Sequence, residues 1–381
     1  MTRIAHIANM YGPKSGGLKT AMRELSKEYA SRGHEVLLVV PGKRNGHSRS
    51  GSVKTITVAS PLIPFSGGYR IILNTSSVIG LLKNFGPDVL EVSDRTTLLR
   101  VARWAKRKEV PTIFFAHERV DGVMRAFGKV VPFKKSLTRN WNRFTSESVD
   151  RIVATTNYAA GEFVELGMQV SNAPSSHLVS VPLGVDLEAF DPKNRFIQSN
   201  GIGRFPEQFI FACTRLSKEK DPFFLLSIAR ALSDYHVNIP IIIAGSGPLE
   251  KKIAKVVNRE KLNILMLGFV SDKELLARMM SQASLFLAVG PIETFGLAAL
   301  ESLASGTPVL CRSEAAISEI ICRDSGAALP RDANKWRDHI VDFIGLNREN
   351  VRNHARARAE TFSWERSADI LLDLYSLELS T

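Results

Sequence analysis

Apolar and polar positions along this chain switch between two periods, and they do so at regular intervals. Short runs rich in Ile, Val, Leu, Phe and Ala, at residues 3–8, 35–40, 53–59, 88–92, 112–116 and 151–155, have the length and β-branched content of buried strands. Between them lie polar or helical stretches. The clearest helix spans residues 17–31, where Leu18, Met22, Leu25 and Tyr29 form one apolar stripe. Strand, helix and strand in succession call for a parallel sheet. After the turn-forming string Val181-Pro182-Leu183-Gly184-Val185-Asp186 the pattern resumes, with strands expected at 209–213, 239–244, 264–267, 284–289 and 308–311. Beyond Arg331 two helices follow, and Ser363 reads as the cap of a last helix over 364–375.

At 381 residues the chain is too long for one ordinary core, so the two blocks are expected to be two doubly wound α/β domains. Hydrophobic content of 44% and charged content of 23% exclude a disordered or fibrous chain. Cys213, Cys311 and Cys322 form neither a C-x-x-C pair nor an even framework, which suits buried thiols in a reduced, cytoplasmic setting. His6 and Asn9 interrupt the apolar N-terminus, so it reads as a first strand rather than a signal peptide. No run reaches the ~20 apolar residues of a membrane span.

The net charge of +12 is unevenly spread. Residues 1–183 carry 26 Lys and Arg against 13 Asp and Glu, and the remainder 24 against 25. Such asymmetry points to a polyanionic partner, a nucleic acid or an acidic membrane surface. Between Gly122 and Ser146 there is no acid at all, while Arg125, Lys129, Lys134, Lys135, Arg139 and Arg143 interleave with Phe127, Phe133, Trp141 and Phe144. That composition suits a membrane interface, with Pro132 dividing two helices. The alternative is a solvated helix whose aromatics enter the core. Arg100, Arg103, Lys106, Arg107 and Lys108 make a second basic run.

The densest candidate chemistry lies between Gly290 and Leu310. Here a short apolar strand joins an amphipathic helix through a turn in which Thr294-Phe295-Gly296-Leu297 are expected to open the helix and turn their N–H groups toward an anion. Glu293 and Glu301, eight residues apart, would stand on either side of that anion and take hydroxyl groups, which describes a nucleotide sugar; the plainer alternative is a surface helix with two solvated acids. Arg215 and Lys220 share one loop beyond a strand end, where two cations can clamp a diphosphate or simply be solvated. Gly16 and Gly17 at a helix start admit a phosphate or a sugar, or ease a tight turn, and are not the dinucleotide G-x-G-x-x-G. His117 follows the apolar strand at 112–116, at the end where open α/β sheets hold ligands. No Asp-x-Asp occurs, so no metal is expected at the diphosphate.

The string GPIETFGLAALESLASGTPVL resembles the donor-site signature of glycosyltransferase family 4, with Glu293, seven residues, Glu301, then Ala304, Gly306 and Pro308 in register. The resemblance covers nearly the whole chain. It implies a GT-B fold: two Rossmann-like domains facing across a cleft, residues 1–183 joined by about 363–381 on the acceptor side, and 184–362 binding the nucleotide sugar. It implies a retaining reaction in which Gly16 and Gly17 lie against the substrates, His117 near the donor sugar, and Arg215 and Lys220 at the diphosphate. Gly245 with the turn at 245–248, and Thr294, Phe295, Gly296 and Leu297, would line the donor, Phe269 and Val270 border the base, Glu293 hold the sugar and Glu301 the ribose. The sequence departs from the family pattern at Glu118, where Asp is usual, and at Thr214 and Asp221, where Gly is usual. In the first half, Ser66-Gly67-Gly68-Tyr69-Arg70, Glu91-Val92-Ser93-Asp94-Arg95 and Ala116-His117-Glu118-Arg119 look most like the phosphatidylinositol dimannoside mannosyltransferase branch, which uses GDP-mannose. That branch implies a mannosylated phosphatidylinositol acceptor at the inner face of the plasma membrane, no cofactor and no nucleic acid. A nucleotide-sugar epimerase on the same scaffold, a family 4 enzyme with another donor or acceptor, and a basic nucleic-acid-binding protein are the rival readings.

Overall fold

The computed structural model describes all residues except 13–15, 64–67, 118–133, 174, 197–204, 347 and 381, together with the side chains of Lys134 and Lys135. The chain divides into two compact units, Met1–Gly184 with Trp364–Thr381, and Val185–Ser363.

In the first unit β1 (Arg3–Ala8), β2 (Glu35–Gly42), β3 (Gly46–Ser50), β4 (Val53–Ala59), β5 (Val89–Ser93), β6 (Thr112–Ala116), β7 (Arg151–Ala154), β8 (Val170–Ser171) and β9 (Leu178–Ser180) form one sheet. Their order is β3-β4-β2-β1-β5-β6-β7-β9-β8, parallel throughout except for β3 against β4. The expected helix at Gly17–Ser31 is present, burying Met22, Leu25 and Tyr29. One sheet face buries Ala5, Ile7, Leu90, Val92, Phe114 and Ile152 in the main apolar core. Asp88 was expected to begin β5, but its carboxylate accepts the Arg3 N–H at 2.7 Å, and the strand starts one residue later. The β3 hairpin arm was not foreseen because its five residues are all exposed and carry no apolar signal. The last helix runs Trp364–Ser380, beyond the expected 375. It is tied to the first unit by Arg151–Glu378 at 2.6 Å, Arg32–Asp369 at 2.9 Å, and a hydrogen bond from Ser367 Oγ to the Pro182 carbonyl at 2.6 Å.

In the second unit β10 (Ile210–Cys213), β11 (Ile241–Ala244), β12 (Ile264–Gly268), β13 (Leu285–Ala288), β14 (Val309–Arg312) and β15 (Gly326–Leu329) are all parallel, in the order β12-β11-β10-β13-β14-β15. β11 begins after Pro240, which has no N–H to give a ladder; its carbonyl instead accepts the Ile210 N–H at 2.9 Å. β15 was missed, since Gly-Ala-Ala-Leu is too short and small to stand out. Of the described helices, none is long and apolar enough to cross a membrane.

Each sheet reverses direction beside its first strand, between β1 and β5 and between β10 and β13. Outside the carboxyl ends of such strands an open α/β sheet leaves a crevice, and loops leaving in opposite directions can hold a ligand there.

Candidate functional site

The loops after β10 and β13 carry the second unit's candidate residues. Lys220, in the short 3-10 turn Lys218–Lys220, reaches across so that its Nζ lies 2.5 Å from Glu293 Oε2 and donates to the Ile292 carbonyl at 3.0 Å. Gly290 eases this approach, since a Cβ there would stand 3.3 Å from the Lys220 side chain and push it slightly aside. Arg215, in the same loop, lies 3.8 Å from Glu219 Oε1 rather than beside Lys220.

Cys213 ends β10, near enough to Glu301 and Glu293 to feel both charges. Burial pushes its thiol up to about 12, with the charges of Glu301 and Glu293 adding to the rise. Glu301 sits on the second turn of the helix Leu297–Ala304. Burial pushes its carboxyl up to about 8, against a lowering by Lys273 and together with a smaller rise from Asp186. Lys273 and Asp186 pair at 2.6 Å. Sequence reasoning read Cys213 only as a buried thiol and passed over Lys273, because neither carries a local signal: their nearness to Glu301 is made by the fold.

The helix start differs from expectation. It begins at Leu297, with Gly296 as its cap at a φ of +96°, and Gly296's carbonyl accepts the N–H groups of Ala299 and Leu300. Thr294 and Phe295 therefore precede the helix instead of opening it, and the Phe295 ring is buried 6.3 Å from Phe362. A side chain at Gly296 would be crowded, its Cβ 3.1 Å from Ile317, and strained by the positive φ. Gly245 likewise answers to packing. Its φ is +143° and a Cβ would lie 1.9 Å from the Thr214 carbonyl oxygen, so only glycine lets the loops after β10 and β11 run side by side. Phe269 is exposed and Val270 half-buried just beyond edge strand β12.

Asp221, the departure beside Lys220, occupies a left-handed position at φ +46°, which explains why glycine is usual there. Its carboxylate accepts from Arg331 Nε at 2.7 Å and Arg312 Nη1 at 3.1 Å, anchoring the Lys220 loop to the ends of β14 and β15.

In the first unit, Gly16 precedes the helix Gly17–Ser31 and is exposed at negative φ, with nothing within 4 Å of a Cβ placed on it. No described atom crowds that glycine. Gly17 begins the helix. His117 directly follows β6, with its ring stacked on Phe115, centroids 5.6 Å apart. Burial, with the charge of His6 second, pushes its imidazole down to about 3, so it is neutral at any working pH.

The helix Lys134–Glu147 reverses the usual amphipathic arrangement. Thr138, Asn142 and Thr145 are buried, whereas Leu137, Trp141 and Phe144 are exposed at 47%, 38% and 44% on one stripe. Arg95 explains the polar face, donating to Asn142 Oδ1 at 2.9 Å and pairing with Glu162 at 2.8 Å. The alternative reading, a solvated helix whose aromatics enter the core, fails for Trp141 and Phe144. Arg139 and Arg143 are exposed on this helix, and the Arg103 guanidinium lies 5.2 Å from the Phe144 ring centroid. Arg125, Lys129, Pro132 and Glu118 lie outside the described residues, as do Ser66 and Gly67.

Two doubly wound parallel sheets, one gathering a lysine and two acids at its switch point, define the α/β class of two Rossmann-like domains known as GT-B. Residues 16–184 match the glycosyl transferase 4-like domain and residues 195–361 the glycosyl transferases group 1 domain. The chain is 38% identical, over all of its length and 97% of the relative's, to a GDP-mannose-dependent alpha-(1-6)-phosphatidylinositol dimannoside mannosyltransferase of Mycobacterium tuberculosis. Among solved structures it is similar to sucrose-phosphate synthase from Thermosynechococcus elongatus, with a TM-score of 0.77 at 18% identity covering 100% of both chains. It is also similar to Anabaena HepE in complex with UDP and glucose, with a TM-score of 0.73 at 15% identity covering 99% of this chain and 100% of the other. The chain belongs to the glycosyltransferases of this family and is a hexosyltransferase.

Proposed function

We propose that this enzyme moves mannose from GDP-mannose to a mannosylated phosphatidylinositol, with retention of the α configuration. The observation that carries this reading is the similarity, along the whole chain, to a relative named for that donor and that lipid class. In this reading the second unit binds the nucleotide sugar and the first the acceptor.

Lys220 is the residue to watch in the donor site. Its pair with Glu293 is partly exposed and is worth only about 0–1 kcal/mol. Charge-assisted bonds to a bound diphosphate and to sugar hydroxyls are worth about 1.5–3 kcal/mol each. Donor binding therefore favours releasing Lys220 to the diphosphate and Glu293 to the mannose hydroxyls, while Glu301 takes the ribose. Gly245, Thr294, Phe295, Gly296 and Leu297 shape the donor loop through their backbone, and Phe269 and Val270 border the base. The mannosyl C1–O bond to the diphosphate breaks as the acceptor hydroxyl arrives on the same face, its proton passing to the leaving phosphate. Arg215 and Lys220 neutralise the departing charge, so no metal is required. His117, neutral, hydrogen-bonds the sugar near its reacting carbon, and the open space at Gly16, with Gly17 next to it, admits substrate.

The acceptor is a lipid, and the exposed Leu137, Trp141 and Phe144 stripe on the helix that carries Arg139 suits insertion at an anionic surface, with Arg125, Lys129, Lys134 and Lys135 adding charge along the sequence. Radiolabelled GDP-mannose with extracted membranes, followed by lipid separation, tests the whole reading. Label in an α-mannosylated phosphatidylinositol lipid, undiminished by a metal chelator, is the expected result. Turnover of donor without acceptor, or a β-linked product, overturns it. In calorimetry, Glu301→Ala weakens GDP itself by about 10-fold or more, whereas Glu293→Ala spares GDP and weakens GDP-mannose.

A further inference from the structure

One cluster of buried titratable groups has no part in that scheme. Glu91, fully buried in the middle of β5, divides its two carboxylate oxygens between three elements. Oε2 lies 2.6 Å from His6 Nδ1 on β1. Oε1 accepts from the Tyr29 hydroxyl at 2.8 Å, on the helix Gly17–Ser31, and from the Tyr375 hydroxyl of the last helix. Those two hydroxyls are 3.1 Å apart. Burial first, and the Glu91 charge second, push both phenols well above their ordinary range, so both keep their protons and both donate.

His6 thus has the Glu91 carboxylate close to one ring nitrogen and a hydrogen bond at the other, its Nε2 lying 2.8 Å from Ser93 Oγ. Its ring stacks on Phe115 with centroids 5.4 Å apart, and Phe115 stacks on His117 at 5.6 Å with only 10° between planes. The result is a continuous path from the last helix through Tyr375, Glu91, His6 and Phe115 to His117. A buried polar cluster adds little net stability over apolar residues of the same volume, so the fold alone does not call for one in the middle of a sheet.

We propose that Glu91 is a positioning residue for sugar transfer: held by Tyr29 and Tyr375, it fixes the His6 ring, which through Phe115 sets the plane of His117. This rests on the assignment of His117 to the donor sugar made above. The last helix is then part of the catalytic apparatus of the first unit, with Tyr375 as its point of attachment.

A double-mutant cycle on the full chain decides it, measuring kcat, donor KM and GDP affinity for the wild type, His117→Ala, Glu91→Gln and the double variant. Glu91→Gln is expected to lower kcat about tenfold with donor KM and GDP affinity within about twofold, because a small misplacement of a catalytic group costs rate more than binding. In the His117→Ala background the same change is expected to cost nothing further, since residues acting through one group are non-additive. Tyr375→Phe leaves Tyr29 on Oε1 and gives the same non-additive pattern at about threefold, deciding the matter by itself should Glu91→Gln fail to fold. An equal loss in both backgrounds, or an unchanged kcat in both Glu91→Gln and Tyr375→Phe, overturns the positioning role. Near-normal kcat in His117→Ala removes the assignment underneath it instead.

Discussion

Glu301 shows at the scale of one residue how the fold changes chemistry. In water a glutamate would be ionised throughout the working range, but here burial holds its carboxyl at about 8 against an ordinary 4.5. The folded chain therefore binds a proton that the unfolded chain gives up, and stability falls as pH rises between those two values. Below 4.5 both states are protonated and the effect vanishes; above 8 it is complete. Glu301→Gln keeps the shape of the protonated acid and titrates nothing. The melting temperature of Glu301→Gln minus that of the wild type is thus expected to grow from pH 5 to pH 8, which scanning calorimetry across that range, ~3 pH units, measures directly. A difference that stays flat would mean that Glu301 is ionised in the folded, donor-free enzyme. A bound ribose adds hydroxyl donors to the carboxylate, so GDP should flatten the wild-type slope.

At the scale of an element, the loop carrying Arg215 and Lys220 is held from behind. Asp221 sits in a left-handed conformation that glycine would adopt freely, at a cost to a non-glycine residue of about 1 kcal/mol. Against this, its carboxylate partners Arg331 and the nearly buried Arg312, which has Glu314 as its other partner. Removing one partner of a buried charge costs about 3–5 kcal/mol, less here because Glu314 stays. The balance makes Asp221→Gly destabilising by about 1–3 kcal/mol despite relieving the backbone, readable as a lower denaturant midpoint at unchanged slope. Weaker donor binding should accompany it, as Lys220 loses its fixed turn. A gain in stability would show that the backbone term dominates.

At the scale of the molecule, charge is segregated: residues 1–183 hold an excess of 13 positive charges and the rest is nearly neutral. Each cation near an acidic leaflet contributes about 1 kcal/mol, so three or four in contact give a binding that salt weakens. Sedimentation with phosphatidylinositol-rich and neutral vesicles at low and high salt is expected to show binding to the former alone. Changing Lys129, Lys134, Lys135 and Arg139 together to Ser should abolish it, and Trp141→Ser should weaken it without altering its salt dependence. Equal binding to both vesicle types would remove the helix Lys134–Glu147 from the acceptor side.

Much of this was written in the linear chain. Strand and helix periods are local, so the alternation, the helix at Gly17–Ser31 and most strands could be read to within a residue or two, and Glu293 and Glu301 stand in a string whose family resemblance, more than their spacing, is the signal. The polar β3 and the short, small-residue β15 could not. Nor could anything that depends on which loops the sheet order brings together: the meeting of Lys220 with Glu293 across 73 positions, the crowding that makes Gly245 obligatory, the exposure of Trp141 and Phe144, and the joining of Tyr375 to Glu91 across 284. Sequence fixes which groups are present and their local conformation; proximity, burial and therefore protonation arise only when distant strands are laid side by side in a medium that solvates charge poorly.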